Sequence, residues 1–328
     1  MNGSPPPSEN GFRPLWLLRN RHVQTILGHL LSGPPVRHPT QKHRVPVSDG
    51  DQLVLHDSIP DGWRPGDRIA VLIHGLGGCH DSGHPRRFAR RLLPLGVRAV
   101  RVDLRGCGDG LPLARRGYHA GCSDDLRAVL STVHAWSPTS PILLVGVSLG
   151  GNVVLKLAGE AALDPVPGLA RVAVMGPPID LHRCAAMIER RQNRIYDRHF
   201  ANHLVAQALR RQRYFPDARR LVLPSRITIR LFDALYTAPR SGFRNVDDYY
   251  TRASSAPLVE QVRLPTLILT ARDDPFIAVE PFEALRLPVN VSLHIVDHGG
   301  HLGFLGNDGA GGMRWAERKV AEWLLGDV

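Results

Sequence analysis

A serine flanked by glycines is the residue of this sequence best suited to nucleophilic chemistry. Ser148 lies in a G-x-S-x-G motif at residues 146–150, after the aliphatic run 142–147 and before the helix-like stretch 149–157. This motif is typical of a sharp strand-to-helix turn that exposes a serine hydroxyl. Its glycines allow neighbouring chains to approach closely. The alternative is an ordinary turn with an incidental serine, because so short a motif also arises by chance.

A serine nucleophile needs a base to accept its proton, and an imidazole base needs a carboxylate to orient it and stabilise its charged form. Candidates for both follow the last two predicted strands, with Asp273 and Asp274 after one and His298 and His301 after the other. Asp274 has the better offset from its strand, and glycines surround His301, as suits a loop that reaches over a sheet. We therefore predict Ser148, His301 and Asp274 as nucleophile, base and acid. His298 and Asp273 are the competing residues.

The elements that carry these residues alternate between strands and helices. Aliphatic runs predict buried strands at 68–73, 97–103, 142–147, 169–175, 264–271 and 291–296. Alternation with helical patterns predicts an α/β fold with a mostly parallel central sheet flanked by helices. Since the carboxyl ends of parallel strands meet at one edge of a sheet, we expect the three candidate loops to converge there.

The helical stretch 179–252 interrupts this alternation. An insertion after the strand 169–175 is where a cap over the site would lie, and we predict that this arginine-rich segment forms one. We expect 12–328 to be a single domain and 1–11 a disordered tail. The amphipathic stretch 12–33 is expected to dock on the body of the fold rather than on a membrane surface. The apolar side chains available for docking are Trp16, Leu17, Ile26, Leu27, Leu30 and Leu31.

The charge of the chain is concentrated in one region. The formal net charge is +11, and residues 182–244 contain 14 arginines, no lysine and four acids. Such a block can contact an anionic membrane or an acidic ligand, although a solvated basic face is the simpler interpretation. No nucleic-acid-binding motif accompanies it, so we expect no nucleic-acid partner.

Other compositional features narrow the class of protein. No apolar run reaches the length of a transmembrane helix, and the first ten residues lack the features of a secretory signal. The four cysteines have no metal-binding spacing and suit a reducing compartment, so we expect a cytoplasmic protein. His80 and His84 cannot share a helical face across Gly83 and Pro85, so we expect no metal site. The chemistry proposed for Ser148 needs no cofactor.

Motifs along nearly the whole chain resemble the AB-hydrolase 4 family of α/β-hydrolases, which includes bacterial YheT-like hydrolases and eukaryotic ABHD1/2/3-type lipases. The loop after His74 departs from the Ser-x-Ser that the family often has there. The matching residues are Phe12-x-Pro14, Trp16, Asn20-x-His22-x-Gln24-Thr25, His74-Gly75-Leu76-Gly77-Gly78, Arg105-Gly106-Cys107-Gly108, Tyr118-His119-Ala120-Gly121, Asp124-Asp125-Leu126, Gly146-x-Ser148-Leu149-Gly150-Gly151-Asn152, Phe232-Asp233, Asp248-Tyr249-Tyr250, Asp273-Asp274-Pro275-Phe276 and Gly299-Gly300-His301-Leu302-Gly303-Phe304.

The resemblance implies an α/β-hydrolase fold in which Ser148, Asp274 and His301 form the charge relay. It also implies that the backbone N–H groups of Leu76 and Leu149 stabilise an oxyanion. The expected activity is hydrolysis of short- to medium-chain acyl esters or lipids through an acyl-serine. Two alternatives remain open. In the first, the enzyme transfers the acyl group to an alcohol and not to water. In the second, the fold is catalytically silent and binds an anionic membrane or a partner through the arginine-rich cap.

Overall fold

The aliphatic runs of the sequence pair into one sheet in the computed structural model, which describes residues 11–218 and 221–326. Within these ranges the sheet has eight strands in the order β1-β2-β4-β3-β5-β6-β7-β8. Strand β2 is antiparallel to β1 and β4, and the others are parallel, as predicted. The strands are β1 (Gln41–Pro46), β2 (Gln52–Ser58), β3 (Ile69–Ile73), β4 (Arg98–Asp103), β5 (Ile142–Val147), β6 (Leu169–Met175), β7 (Thr266–Ala271) and β8 (Val291–Val296).

Helices connect the strands and cover the sheet. The α-helices of the described ranges are α1 (Arg21–Leu30), α2 (Gly83–Leu92), α3 (Ser123–Trp136), α4 (Leu149–Glu160), α5 (Leu181–Ile188), α6 (Arg194–Gln212), α7 (Ile229–Phe232), α8 (Ala238–Arg240), α9 (Val246–Ala253), α10 (Ala256–Val259), α11 (Glu280–Glu283) and α12 (Trp315–Leu325). A π-helical turn (Asp233–Thr237) joins α7 to α8. No helix within the described ranges combines the length and apolarity needed to cross a bilayer.

The sheet is buried on both faces, which explains why its central strands read as continuous aliphatic runs. Along β3, Val71 and Ile73 belong to one apolar cluster and Ala70 and Leu72 to the other. The first cluster includes residues of α3 and α4, and the second includes residues of α2 and α12. The sheet is therefore held between two helical layers, which fixes the positions of its strand ends.

The stretch 12–33 docks on the fold, but not through the apolar face that the sequence suggested. Of those six side chains, Leu27 is half-buried and the other five are exposed, with Trp16 74% and Leu17 77% accessible. The buried face of α1 consists of Gln24, Thr25 and Gly28. A methyl group added to Gly28 would lie 2.6 Å from a backbone atom of Gly303. The helix thus packs on backbone, where small and hydrogen-bonding residues fit better than leucines.

The segment 179–252 is helical, as predicted, and contains α5–α9. Asn152 of α4 ties its end to the body of the fold. The Asn152 amide donates to the carbonyls of Ala120 (3.0 Å) and Ala253 (2.8 Å) and accepts from the Ser255 N–H (3.0 Å). The tail predicted at 1–11 falls almost wholly on residues 1–10, which lie outside the described ranges.

The turn between β5 and α4 is packed too tightly for side chains at its glycines. An added Cβ would lie 2.7 Å from the Gly150 oxygen at Gly146, and 2.2 Å from the His74 oxygen at Gly150. Both contacts are with backbone, which has little room to yield. Gly150 is therefore required by the close approach of the chain at the end of β3, and Gly146 by the close approach of the first turn of α4.

We expect Gly150→Ala to lower the free energy of unfolding by about 1–3 kcal/mol, because the added methyl group overpacks against the His74 carbonyl. The measurement is denaturant unfolding followed by circular dichroism. Gly110→Ala is the matched control, since an added Cβ there meets nothing closer than 3.8 Å. Its unfolding free energy should change by less than about 0.5 kcal/mol. Equal losses in both variants would contradict this account of the turn.

Candidate active site

Ser148 occupies the tip of the turn in a conformation that few residues other than glycine adopt. Its φ is 50° and its ψ is −128°. The turn is held by a hydrogen bond from the Ser148 N–H to the Met175 oxygen (2.9 Å) and by one from the Gly151 N–H to the Ser148 oxygen (2.8 Å). Backbone strain of this kind costs about 1–3 kcal/mol and clusters at functional sites.

The structure brings Ser148, His301 and Asp274 into one hydrogen-bonded row. Ser148 Oγ lies 3.0 Å from His301 Nε2, and His301 Nδ1 lies 2.8 Å from Asp274 Oδ2. The other Asp274 oxygen accepts the N–H groups of Phe276 (2.8 Å) and Ile277 (3.0 Å). Asp274 is buried, so its carboxylate is held in one orientation. A proton on Nδ1 leaves Nε2 free to accept the serine proton.

The competing acid and histidine lie beside this row. Asp273 Oδ1 accepts the Gly300 N–H (2.9 Å), and its second oxygen lies 3.5 Å from His298 Nδ1. Burial raises the pKa of Asp273 above its ordinary value, although the Gly300 hydrogen bond and His298 oppose this. Asp273 thus supports the backbone of the loop that carries His301. The assignment of Asp274 as the catalytic acid stays a prediction.

Helix α1 holds the loop that carries His301. The His301 N–H donates to Thr25 Oγ1 (2.9 Å). Gln24 accepts the Leu305 N–H (2.7 Å) and donates to the Leu305 oxygen (3.0 Å). Gln24 and Thr25 lie in a motif that resembles the AB-hydrolase 4 family, but the sequence predicted no role for them. The only signal was polar residues on the buried face of a helix.

The loop after β3 lies against the nucleophile. A Cβ added to Gly75 would be 2.9 Å from the Ser148 Cβ. Leu76 follows in the chain, and Leu149 begins α4 directly after Ser148. Neither the Leu76 nor the Leu149 N–H has an acceptor among the described residues. These are the two amides predicted to face an oxyanion, and that role stays a prediction.

Three side chains fix this loop in place. The Tyr118 hydroxyl accepts the Gly77 N–H (2.6 Å) and donates to the Gly75 oxygen (3.1 Å). Burial raises the pKa of Tyr118 well above its ordinary value, so the hydroxyl keeps its proton. His74 Nδ1 lies 2.8 Å from the Gly75 oxygen, and His203 Nε2 lies 2.9 Å from the Gly77 oxygen. The backbone around Leu76 is therefore anchored on both sides.

A buried ionic network supports Tyr118 in turn. The Tyr118 N–H donates to the Arg105 oxygen (3.0 Å). The Arg105 guanidinium binds both oxygens of Asp125 (3.0 and 2.6 Å) and also contacts Asp49 (2.7 Å) and Asp51 (2.8 Å). Burial raises the pKa of Asp125, although the hydrogen bonds and charge of Arg105 oppose this. Fork-like pairing of this kind fixes geometry as well as charge.

A narrow cavity is lined by Leu76 and Leu149 together with residues of the segment 179–252. The cavity has a volume of about 40 Å³. This is enough for roughly three water molecules. Its walls include Leu204 and Arg211 of α6 and Tyr236 of the π-helical turn. Any group bound here would lie next to Leu76 and Leu149, the residues that carry the two candidate oxyanion amides.

A second cluster is formed by His56 of β2, His80 of the loop after β3 and Asp103 at the end of β4. His56, His80 and Asp103 place ligand-type atoms within 4.8 Å of one another and could hold a metal ion. The Asp103 carboxylate already lies 3.0 Å from His56 Nε2 and 2.9 Å from His80 Nδ1, and it accepts the N–H groups of His80 (2.6 Å) and Asp109 (2.9 Å). These bonds outweigh burial and lower the pKa of Asp103. Sequence spacing could not find this group, because its members come from three separate segments.

Comparisons with known proteins agree with this architecture. A family profile described as the alpha/beta hydrolase family matches residues 70–310. The provisionally assigned esterase YheT of Escherichia coli is 30% identical, covering 95% of this chain and 92% of that protein. The phospholipase ABHD3 of Mus musculus is 28% identical, covering 92% and 74%. A solved esterase of Pyrococcus furiosus, 16% identical, superposes with a TM-score of 0.56 over 89% of this chain and 96% of that one.

We expect Asp125→Asn to lower the free energy of unfolding by about 3 kcal/mol, because it removes a carboxylate from a buried guanidinium. Denaturant unfolding measures the loss. Asp124→Asn is the matched control, since Asp124 is the adjacent acid on α3 and is exposed. Similar stabilities of the two variants would contradict a supporting role for the Arg105 network.

Proposed function

The chain belongs to the alpha/beta hydrolase family, in its YheT-like AB-hydrolase 4 branch, and on that basis we propose that it is a serine hydrolase that cleaves carboxylic esters through an acyl-Ser148 intermediate. The observation that carries the proposal is the hydrogen-bonded row of Ser148, His301 and Asp274 at the ends of three parallel strands. The esterase and phospholipase names of the relatives support ester hydrolysis.

The first half of the reaction transfers the acyl group to the enzyme. His301 Nε2 accepts the proton of Ser148 as its Oγ attacks the ester carbonyl carbon. The buried Asp274 carboxylate accepts the Nδ1 proton and stabilises the imidazolium that forms. His301 then donates the proton to the departing alkoxide, which leaves as an alcohol and so forms the acyl-serine.

The amides of Leu76 and Leu149 stabilise the negative oxygen of each tetrahedral intermediate. Their N–H groups have no acceptor among the described residues, so they are available to a developing oxyanion. A single preorganised donor of this kind contributes about 3–4 kcal/mol to the transition state. In the second half, His301 Nε2 takes a proton from water as the water oxygen attacks the acyl carbon. The second tetrahedral intermediate then breaks its bond to Ser148 Oγ, His301 returns the proton to that oxygen, and the carboxylic acid is released.

The remaining parts of the chain fit this chemistry. Residues 179–252 form the cap of a single hydrolase domain and contribute side chains to the cavity that Leu76 and Leu149 also line. The relatives named esterase and phospholipase support a small acyl ester or lipid as substrate. Peripheral contact of the arginine-rich cap with an anionic membrane would bring a lipid substrate to the site.

We expect Asp274→Asn to reduce kcat on p-nitrophenyl butyrate by roughly 10³–10⁴-fold, because the amide favours the wrong histidine tautomer. The matched control is Asp273→Asn, which changes the neighbouring acid that contacts Gly300 and His298. It should retain activity within a few-fold. Ser148→Ala should abolish turnover. If Asp273→Asn lost this activity and Asp274→Asn kept it, Asp273 and not Asp274 would be the catalytic acid.

The products decide between hydrolysis and transfer. Hydrolysis predicts that butyric acid is the main product even when ethanol is added. If ethyl butyrate exceeded the acid, acyl transfer would replace hydrolysis as the proposed reaction. If wild type cleaved no ester of a chain-length series, the catalytically silent alternative would hold instead.

We expect Tyr118→Phe to lower kcat about tenfold with little change in KM, because the loop that carries Leu76 loses two hydrogen bonds that matter most in the transition state. Tyr250→Phe is the control, since its hydroxyl bonds Asp233 (2.9 Å) rather than the loop. Steady-state kinetics on p-nitrophenyl butyrate measures both. A change in KM alone would argue against a positioning role for Tyr118.

A further inference from the structure

Arg211 is a buried cation that has no acidic partner among the described residues. Its residue exposure is 4%, and no carboxylate within the described ranges lies within ion-pair distance of its guanidinium. Its single hydrogen bond there runs from Nη2 to the Tyr236 hydroxyl. Other buried arginines differ. Arg98 binds both oxygens of Asp57 (2.9 and 2.7 Å), and Arg105 binds three acids.

Glycines make room for this guanidinium. A Cβ on Gly106 would lie 2.6 Å from Arg211 Nη1, and one on Gly117 would lie 3.0 Å from Nη2. The guanidinium therefore sits tightly against two backbone segments at the carboxyl side of the sheet. Packing and the hydrogen bond to Tyr236 hold it in place, with no counter-ion among the residues that the structure describes.

Arg211 lines the cavity that begins at Leu76 and Leu149. An anion bound to Arg211 would therefore share that narrow space with an ester whose carbonyl oxygen faces the two amides. The space of about 40 Å³ suits a small group such as a carboxylate or a phosphate better than a long acyl chain.

The surroundings add to the positive charge. Arg240 also lines the cavity, and its guanidinium lies 4.7 Å from the centre of the Tyr236 ring, with that of Arg211 at 5.7 Å. Among the described residues that line this cavity, one is acidic, and it is Asp233. Its carboxylate accepts from Tyr250 (2.9 Å), and burial raises the pKa of Asp233 to about 6 despite that bond and one from Thr237.

A buried charge without a partner is costly, and an anion that supplies charge-assisted hydrogen bonds removes that cost. We propose that the substrates are esters that carry a carboxylate or phosphate, and that this anion binds Arg211 while the ester carbonyl lies at Ser148. This inference rests on the proposed function and narrows its substrate class.

Two matched pairs of esters test the proposal. For an anion on the alcohol side, 1-hexanoylglycerol is compared with 1-hexanoylglycerol 3-phosphate. For an anion on the acyl side, ethyl hexanoate is compared with monoethyl adipate. The released acid or alcohol is quantified by chromatography. We expect wild type to prefer the anionic member of one pair by at least about tenfold in kcat/KM, mainly through a lower KM.

Variants assign that preference to Arg211. The quantity compared is the ratio of kcat/KM for the anionic ester to kcat/KM for its neutral partner. We expect Arg211→Gln to lower this ratio at least tenfold and Arg211→Lys to restore part of it. Arg210→Gln, an exposed neighbour on α6, should keep the wild-type ratio. A ratio near one in wild type for both pairs overturns the proposal, even if Arg211→Gln does not fold. A ratio that survives in folded Arg211→Gln overturns it too.

Inhibition by inorganic phosphate shows whether Arg211 binds an anionic group of the substrate or a free anion. If phosphate inhibits turnover of the neutral esters while wild type shows no preference for the anionic ones, the pocket binds a free anion and the proposal is wrong. Inhibition that is competitive toward the preferred anionic ester supports it. Cleavage of no ester by wild type would contradict the proposed function itself, whereas cleavage without preference contradicts only this inference.

Discussion

The site depends on the close approach of two backbone segments. The end of β3 and the turn after β5 belong to adjacent parallel strands, where Ile73 pairs with Gly146. Beyond them, Gly75 and Gly150 allow the His74–Gly75 backbone to lie directly against the nucleophile turn. This contact places Gly75, the residue before Leu76, against the side chain of Ser148. A larger residue at either glycine would separate the candidate oxyanion amides from the serine they are meant to serve.

Hydrogen bonds from outside the sheet keep this contact in register. Thr25 holds the His301 loop, Tyr118 holds the loop of Leu76, and Asn152 ties α4 to the end of the helical segment. Each bond joins positions far apart in the chain and is buried or half-buried. The geometry of the row from Ser148 to Asp274 is therefore supported by the whole fold, since each of its loops is tied to a different element.

Local patterns predicted the sheet and the residues that meet at its edge. Aliphatic runs marked the strands because burial on both faces requires them, and a short motif marked Ser148. What local patterns could not show were contacts made in three dimensions. The apolar residues of α1 were wrongly expected to dock, because its buried face packs on backbone through Gln24, Thr25 and Gly28. The surroundings of Arg211, which lack a carboxylate among the described residues, and the cluster around Asp103 depend equally on residues distant in sequence.

Reactivity of Ser148 tests the central claim most directly. The folded protein is treated with a fluorophosphonate, digested, and the adduct is located by mass spectrometry. The account predicts one adduct, on the peptide that contains Ser148, and its loss in folded His301→Ala, because the imidazole activates the hydroxyl. No adduct on Ser148 of the folded wild-type protein, or equal labelling in His301→Ala, would contradict the claim that this row of residues forms a working nucleophile.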